Sequence, residues 1–419
     1  MTDASVKTAA GASDQVMRWG AVAALGALGA FGMVEFLGLV LEGNAPSVVG
    51  VVCALVWAVL AVGFLVYGVF HPVIEGLFIR AFTVGLGLAG VYYFSFVYDD
   101  WFFYEVLISG LLAGVMYALV ALGFVLIFKA SGIFNFAQGV LTLFAALTLV
   151  GFQTGQIPFA HLINAIFGTE VQFWSDSGIP DVLAILLSLV VMIALAWVIV
   201  RVVLRPLVNQ EGIILFMATI GLAFVLEGVG DLMWGANVKK LDVGLPSGPS
   251  DVIIDATGMF VDKLEISAAV VAIILVVALT LFSQYTKMGR ALRAVADDHQ
   301  AALSVGISLE TIWWIVWSVA GIVALVAGVM WGAKSGVQFS LSLIALKALP
   351  VLMLGGFTSI PGAIIGGLMI GAGEKLFDFY VGTEYLGGAT ENWFAYMLAL
   401  VFLLFRPQGL FGEKIIERV

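Results

Sequence analysis

Residues 284–307 read QYTKMGRALRAVADDHQAALSVGI and lie between two apolar segments, 265–283 and 311–333, each long enough to cross a bilayer. It is the longest basic, helix-forming connection in a chain that otherwise keeps returning to apolar runs. Positions 289–296 read as a short basic helix. Asp297 or Asp298 is placed to cap the start of a second one, HQAALSV, and Gly306 to end it in a left-handed conformation. Lys287, Arg290 and Arg293 assign the segment to the cytoplasmic side, where basic loops are retained. Its small residues Ala291, Ala294, Ala301 and Ala302 would let another protein's surface approach closely, so the two helices make a mechanical handle for a soluble partner. A solvated connection anchored by its basic residues at lipid headgroups has the same composition.

The flanking chain fixes the class. At 62% hydrophobic and 11% charged residues over 419 positions, with mean hydropathy +1.12, the chain is too apolar for a soluble fold of this size. It reads as an all-α, polytopic helical membrane protein. Residues 1–16 are polar, and Arg18 precedes an uncleaved first span. Spans are expected near 18–41, 47–70, 80–98, 104–128, 133–153, 182–200, 213–235, 265–283 and 311–333. The run 343–377 is too long for one crossing and is interrupted by GGFTSIPG, where Gly355, Gly356, Pro361 and Gly362 break the helix. It divides into 343–356 and 361–377, and a last span lies near 393–405, giving about twelve crossings.

Charge tests that count. With both termini cytoplasmic, every arginine falls inside, together with Lys129, Lys287 and Lys414. The outside connections collect Asp99, Asp100, Glu170, Asp176, Asp242, Asp251, Asp255, Asp262, Glu384 and Glu391. This alternation follows the positive-inside rule independently of hydropathy. The long outside connections 153–181 and 236–264 read as ordered loops or short surface helices, either a docking rim for a soluble partner or plain connections. The net charge of −10 carries no nucleic-acid patch.

Polar groups at membrane depth are costly unless paired, and so they point to function. Asn135 and Gln138 in SGIFNFAQG are three residues apart, which on a helix puts them on one face. They either line a polar pathway or gate, or hydrogen-bond across a helix interface. Glu227, in FVLEGVGD, is a further pathway candidate. Pairs such as Gly110/Gly114, Gly328/Gly332, Gly362/Gly366 and Gly367/Gly371 have the small-xxx-small spacing of close helix packing. No catalytic constellation is present. His71, His161 and His299 share no metal-binding spacing, and the single Cys53 has no partner in the chain. There is no GxxxxGK[ST] phosphate loop, so the chain is not expected to bind ATP by that route.

Six pieces in order, GLLAGVMYALVALGFVLIF, GIFNFAQG, RPLVNQEGIILFMATIGLAFVLEG, YTKMGRALRAVADDHQAALSVGI, LGGFTSIPGAIIGGLMIG and RPQGLFG, cover some three quarters of the chain. In these it resembles the LivH-type permeases of branched-chain amino acid ABC importers, a family that includes urea and short-chain amide permeases. The resemblance implies a type II importer-like permease over 104–419 in the bacterial inner membrane, with a coupling segment at 284–310. Residues 1–103 are then an N-terminal extension of about three spans. It further implies a second, LivM-like permease, two cytoplasmic ATPases that use the ATP, and a periplasmic substrate-binding protein. The chain itself would need no cofactor and would be no enzyme. Gly289, Arg290, Arg293, Ala294, Asp297, Asp298 and Gly306 would seat in an ATPase groove, while Asn135, Phe136, Gln138 and Glu227 would line or gate the pathway. The family often carries His where this chain has Gln138, so ionisation at that position cannot be required. The alternative from another class is a stand-alone secondary transporter or channel for a small polar solute.

Overall fold

The structure, a computed structural model, describes residues 100–412 apart from 174–177, 209, 298–301, 303 and 406. The three expected N-terminal spans and Asp298 lie outside the described residues. The described chain is helical, with α1 (Asp100–Ser131), α2 (Gln138–Thr154), α3 (Ala160–Phe167), α4 (Asp181–Val198), α5 (Gly212–Trp234), α6 (Asp251–Thr257) and α7 (Lys263–Tyr285). There follow α8 (Lys287–Asp297), α9 (Leu309–Ser335), α10 (Ile344–Gly355), α11 (Ile360–Phe377) and α12 (Glu391–Phe405). Six helical segments are long and apolar enough to cross a membrane, and 138–154, 339–355 and 391–404 are shorter apolar helices. They match the nine expected spans from 104 onward, including the division of 343–377. The fold is that of a polytopic helical membrane protein.

Burial ranks the helices. In α2 every residue from Gln138 to Gly151 is buried, which makes it the central element. The apolar windows of α1 and α9 are 78% and 67% buried, against 28%, 28% and 17% for α4, α5 and α7. Helices apolar on all sides can occupy either place, since lipid and protein interior both accept such a surface. The small residues separate the two. A Cβ on Gly114 would overlap the carbonyl of Gly367, and one on Gly367 would strike the carbonyl of Gly114. Gly371 meets Gly110 and Gly114 in the same way, and Gly328 lies against the Thr142 carbonyl of α2.

The chain divides into two compact units. The smaller contains 100–107 and 372–407 of the described residues. Its core is Phe103 with Leu376, Tyr380 and Val381, and Phe377 stacks on Phe394 of α12 with ring centroids 4.3 Å apart. Asp378 accepts the Thr390 N–H at 2.7 Å ahead of α12, and Lys375 pairs with Glu391 at 2.6 Å. The larger unit contains 108–371 and 408–412 of the described residues.

At one end of the larger unit, the end expected outside, the described parts of the long connections carry the surface helices α3 and α6. Lys239 pairs with Val337 through reciprocal backbone bonds of 2.9 and 2.8 Å, and its ammonium donates to Gln156 at 2.8 Å. Burial pushes that ammonium below its usual range. Gln153 ties Asp181 and the Asp242 carbonyl at 2.7 and 2.9 Å.

The glycine contacts yield a stability test. Replacing Gly367 with Leu forces side-chain carbon against a backbone carbonyl that cannot rotate away, and overpacking of this kind costs at least about 1–3 kcal/mol. Gly221 of α5 has open space around its Cβ position. Gly221→Ala is expected to leave the thermal midpoint of the detergent-solubilised protein unchanged or raised, and Gly367→Leu to lower it by several degrees or abolish the monodisperse peak. Size-exclusion after a heating series measures both.

Candidate coupling and gating site

A helix that stops at membrane depth leaves amides and carbonyls without partners, and in hydrocarbon each must be satisfied inside the protein. The helix breaks at 132–137 and 356–359 of the larger unit are partly buried by the protein, and their backbone groups face the same requirement. At the first, α1 ends on Gly132 (φ +66°), whose N–H bonds to the Phe128 carbonyl at 2.8 Å. Ser131 then accepts the Ile133 N–H at 3.2 Å. The Asn135 carboxamide oxygen accepts the Ala137 N–H at 3.1 Å, and the Asn135 carbonyl accepts the Gln138 N–H at 3.2 Å, which turns the chain into α2.

Asn135 therefore precedes α2, and the expected arrangement of Asn135 and Gln138 on one helix face is corrected. An Asx-type turn brings them together instead, with Asn135 Nδ2 donating to Gln138 Oε1 at 3.4 Å. Both side chains are fully buried. Gln138 Nε2 has no acceptor among the described residues and points at Gly123, where a Cβ would overlap it.

Sequence reading missed the residue that holds this turn. Thr219 of α5 is fully buried; its hydroxyl accepts the Phe136 N–H at 3.1 Å and lies 2.8 and 3.2 Å from the Phe216 and Phe134 carbonyls. A threonine in an apolar run gives no signal of a contact more than eighty positions away. Phe134 rings pack on Phe124, Phe216 and Phe357 with centroids 5.3, 5.9 and 6.0 Å apart, while Phe136 stays 37% exposed beside Phe216. Glu227 is not brought to this group. It is half-buried two turns further along α5, a rise of about 12 Å beyond Thr219.

Phe357 belongs to the second break, and Phe128 also packs on it at 5.4 Å, so the two breaks meet. α10 ends at Gly355, and Gly356 has φ +100°. Ser359 then accepts the Gly362 N–H at 3.1 Å, and Pro361 sits in the first turn of α11, where a missing N–H is harmless. Gly355 and Gly362 face each other so closely that a Cβ on either would overlap the other's carbonyl. The RPQGLFG tail returns here: the N–H groups of Leu410 and Phe411 bond to the carbonyls of Leu354 and Gly355 at 2.8 and 3.1 Å. It satisfies acceptors that the end of α10 leaves open.

The basic segment occupies this same end of the larger unit. Thr286 turns the chain from α7 into α8, its hydroxyl accepting the Gly289 N–H at 2.9 Å, and Gly289 packs on the Phe282 and Ser283 carbonyls. Leu292 and Val295 are buried, whereas Lys287, Met288, Arg290 and Arg293 are exposed and Ala291 and Ala294 half-buried. Asp297 closes α8. Gly306 has φ +84°, as its expected terminating role requires, and the Ile307 N–H bonds to Ala302 at 3.0 Å. One expectation is corrected. Ala302 is buried inside the chain and offers no surface to a partner, whereas Val305 of the same turn is exposed. Arg201 and Arg205, at the end of α4, pair with Glu310 in the first turn of α9 at 2.6 and 3.3 Å. No cluster of three metal-ligating side chains exists among the described residues.

Residues 106–406 match the family model described as branched-chain amino acid transport system / permease component. The chain is 30% identical to the high-affinity branched-chain amino acid transport system permease protein LivH of Escherichia coli (strain K12), over 76% of this chain and 98% of that protein. It is 29% identical to the permease protein BraD of Pseudomonas aeruginosa, over 75% and 97%. It is 27% identical to a probable LivH of Methanocaldococcus jannaschii, over 70% and 88%. No solved structure matches. With the family model spanning well over half its length, this multi-pass helical membrane chain belongs to the branched-chain amino acid transport permease family.

Proposed function

We propose that the chain imports branched-chain or other apolar amino acids, with force entering through α8 and the pathway gated at the break 132–137. As a member of its family the chain is a membrane permease subunit of an ABC importer and not an enzyme. The finer reading assigns it a second, LivM-like permease, two cytoplasmic ATPases that consume the ATP, and a periplasmic binding protein that delivers the ligand to the acidic outer connections. Both termini then lie in the cytoplasm, as the distribution of arginines supports. Branched-chain substrates are preferred to urea or small amides because the relatives above are named for branched-chain amino acid transport. The observation that carries the mechanism is the placement of the basic helix and both helix breaks at one end of the larger unit.

The gate reading rests on unspent hydrogen bonding. Gln138 keeps donors without an acceptor among the described residues, and such a group costs about 1–3 kcal/mol when buried. A second conformation in which the turn at 132–137 rearranges would satisfy it. Phe136, exposed at the tip of that turn, is then the side chain that moves. Glu227 stands further along the pathway toward the outer end.

Two outcomes are expected. Arg290→Glu with Arg293→Glu reverses the exposed charge of α8 without touching its buried face. ATPase co-purification and ligand uptake in proteoliposomes should both drop by about tenfold or more while membrane insertion is kept. Unchanged co-purification would exclude α8 as the ATPase seat, and uptake by the purified chain alone would favour the stand-alone transporter. Thr219→Val, isosteric but without the hydroxyl, strands the Phe136 N–H at a cost of about 1–3 kcal/mol. It should slow uptake, whereas Thr219→Ser should retain it. Initial-rate uptake compared at equal reconstituted protein decides this, and equal rates for Val and Ser would remove Thr219 from the gate.

A further inference from the structure

Glu310 stands where the basic segment hands the chain back to the membrane, in the first turn of α9 and two residues after Ser308. Its two carboxylate oxygens take different partners: Oε1 accepts from Arg201 Nη1 at 2.6 Å and Oε2 lies 3.3 Å from Arg205 Nε. Arg201 belongs to a π-helical turn, 199–204, and Arg205 to the 3-10 turn 205–207 that follows it. One acid thus bridges the start of α9 to the end of α4, more than a hundred positions earlier.

Stability does not account for the bridge. The three side chains are between 43% and 49% exposed, and ion pairs this open to solvent contribute little to folding. Nor does retention of positive charge on the cytoplasmic side account for it, since that role needs two arginines and no carboxylate between them. A π-helical turn widens the helix at Arg201, and such single turns are frequent at functional positions.

The position of the bridge does suggest a role. The arginines are followed by the short link 208–211 and then by α5. From Gly212 to Thr219 is two turns of uninterrupted helix, a rise of about 10 Å. Thr219 holds the backbone on both sides of Asn135. A displacement of the basic segment therefore has a connected route to the gate: Glu310, the arginine pair, the link, α5, Thr219 and the turn at 134–138.

We propose that Glu310 is a positioning residue for transport: it ties the end of α4 to the ATPase-facing segment, so that movement of α8 is delivered through Arg201 and Arg205 to the 132–137 gate. It rests on the reading of α8 as the ATPase seat. That reading assigns where force enters, and Glu310 determines whether the force reaches the gate.

The test uses the complete transporter in proteoliposomes, with ligand uptake and ATP hydrolysis measured on the same vesicles. Glu310→Gln keeps size and polarity and removes the charge. Uptake should fall about tenfold while ATP hydrolysis and ATPase co-purification stay within about twofold, so that ligand carried per ATP drops. Glu310→Asp, which keeps the carboxylate, should recover most of the lost ratio. The double variant Arg201→Gln with Glu310→Gln should fall no further than Glu310→Gln alone, as expected when two residues act through one contact. A wild-type ratio in Glu310→Gln overturns the proposal. So does a parallel fall of uptake and hydrolysis, or losses that multiply in the double variant. Failure of the underlying reading shows separately, as ATPase co-purification that is unchanged by Arg290→Glu with Arg293→Glu.

Discussion

Backbone groups that a stopped helix leaves open have to be closed by the protein itself wherever it shuts out water, and the larger unit closes two such sets. At 132–137 the partners are Ser131, Asn135 and the hydroxyl of Thr219. At 356–359 they are Ser359 and the amides of the C-terminal RPQGLFG tail. Water would do the same work at a surface for nothing. Where the protein shuts water out, partners have to come from the chain itself, so the breaks bind distant parts of it together.

The glycine pairs serve the same end. α1 and α11 approach at Gly114 and Gly367 until backbone meets backbone, as α10 and α11 do at Gly355 and Gly362. These contacts are rigid because no side chain stands between them to change rotamer. Against that frame the aromatic cluster of Phe124, Phe128, Phe134, Phe216 and Phe357 is the softer part, made of rings that can slide past one another. The proposed gating by local rearrangement would draw on both, the close-packed frame and the inserted turn. The basic helix α8 is anchored by buried Leu292 and Val295 and presents its charges outward.

Much of this was legible from residue types. Hydropathy placed the nine described spans, and the arginines assigned α8, Lys129 and the 355–361 break to one side before any contact was known. Gly306 has the positive φ its terminating position called for, and α10 stops at Gly355 where the glycines were expected to break the helix. Asn135 and Gln138 were flagged by polarity alone, but their relation was misread, because helical spacing was applied to residues that precede the helix. Ala302 was misread in a similar way, its small size taken as room for a partner when it is room for the chain's own packing. Glu227 was grouped with them on polarity, and only the three-dimensional register along α5 separates it.

By itself the sequence determined what local chemistry dictates: which segments are apolar enough to cross, and where glycine and proline interrupt a helix. Tertiary structure decided the pairings. Nothing in an apolar run distinguishes Thr219 until α5 is laid beside the turn at 134–136, and nothing marks Glu310 as more than an N-terminal helix acid until α4 and α9 are antiparallel neighbours. The physical reason is the same in both cases. A hydrogen bond or ion pair is a statement about two positions, and their separation in space follows from how whole helices pack, which no single stretch of residues encodes.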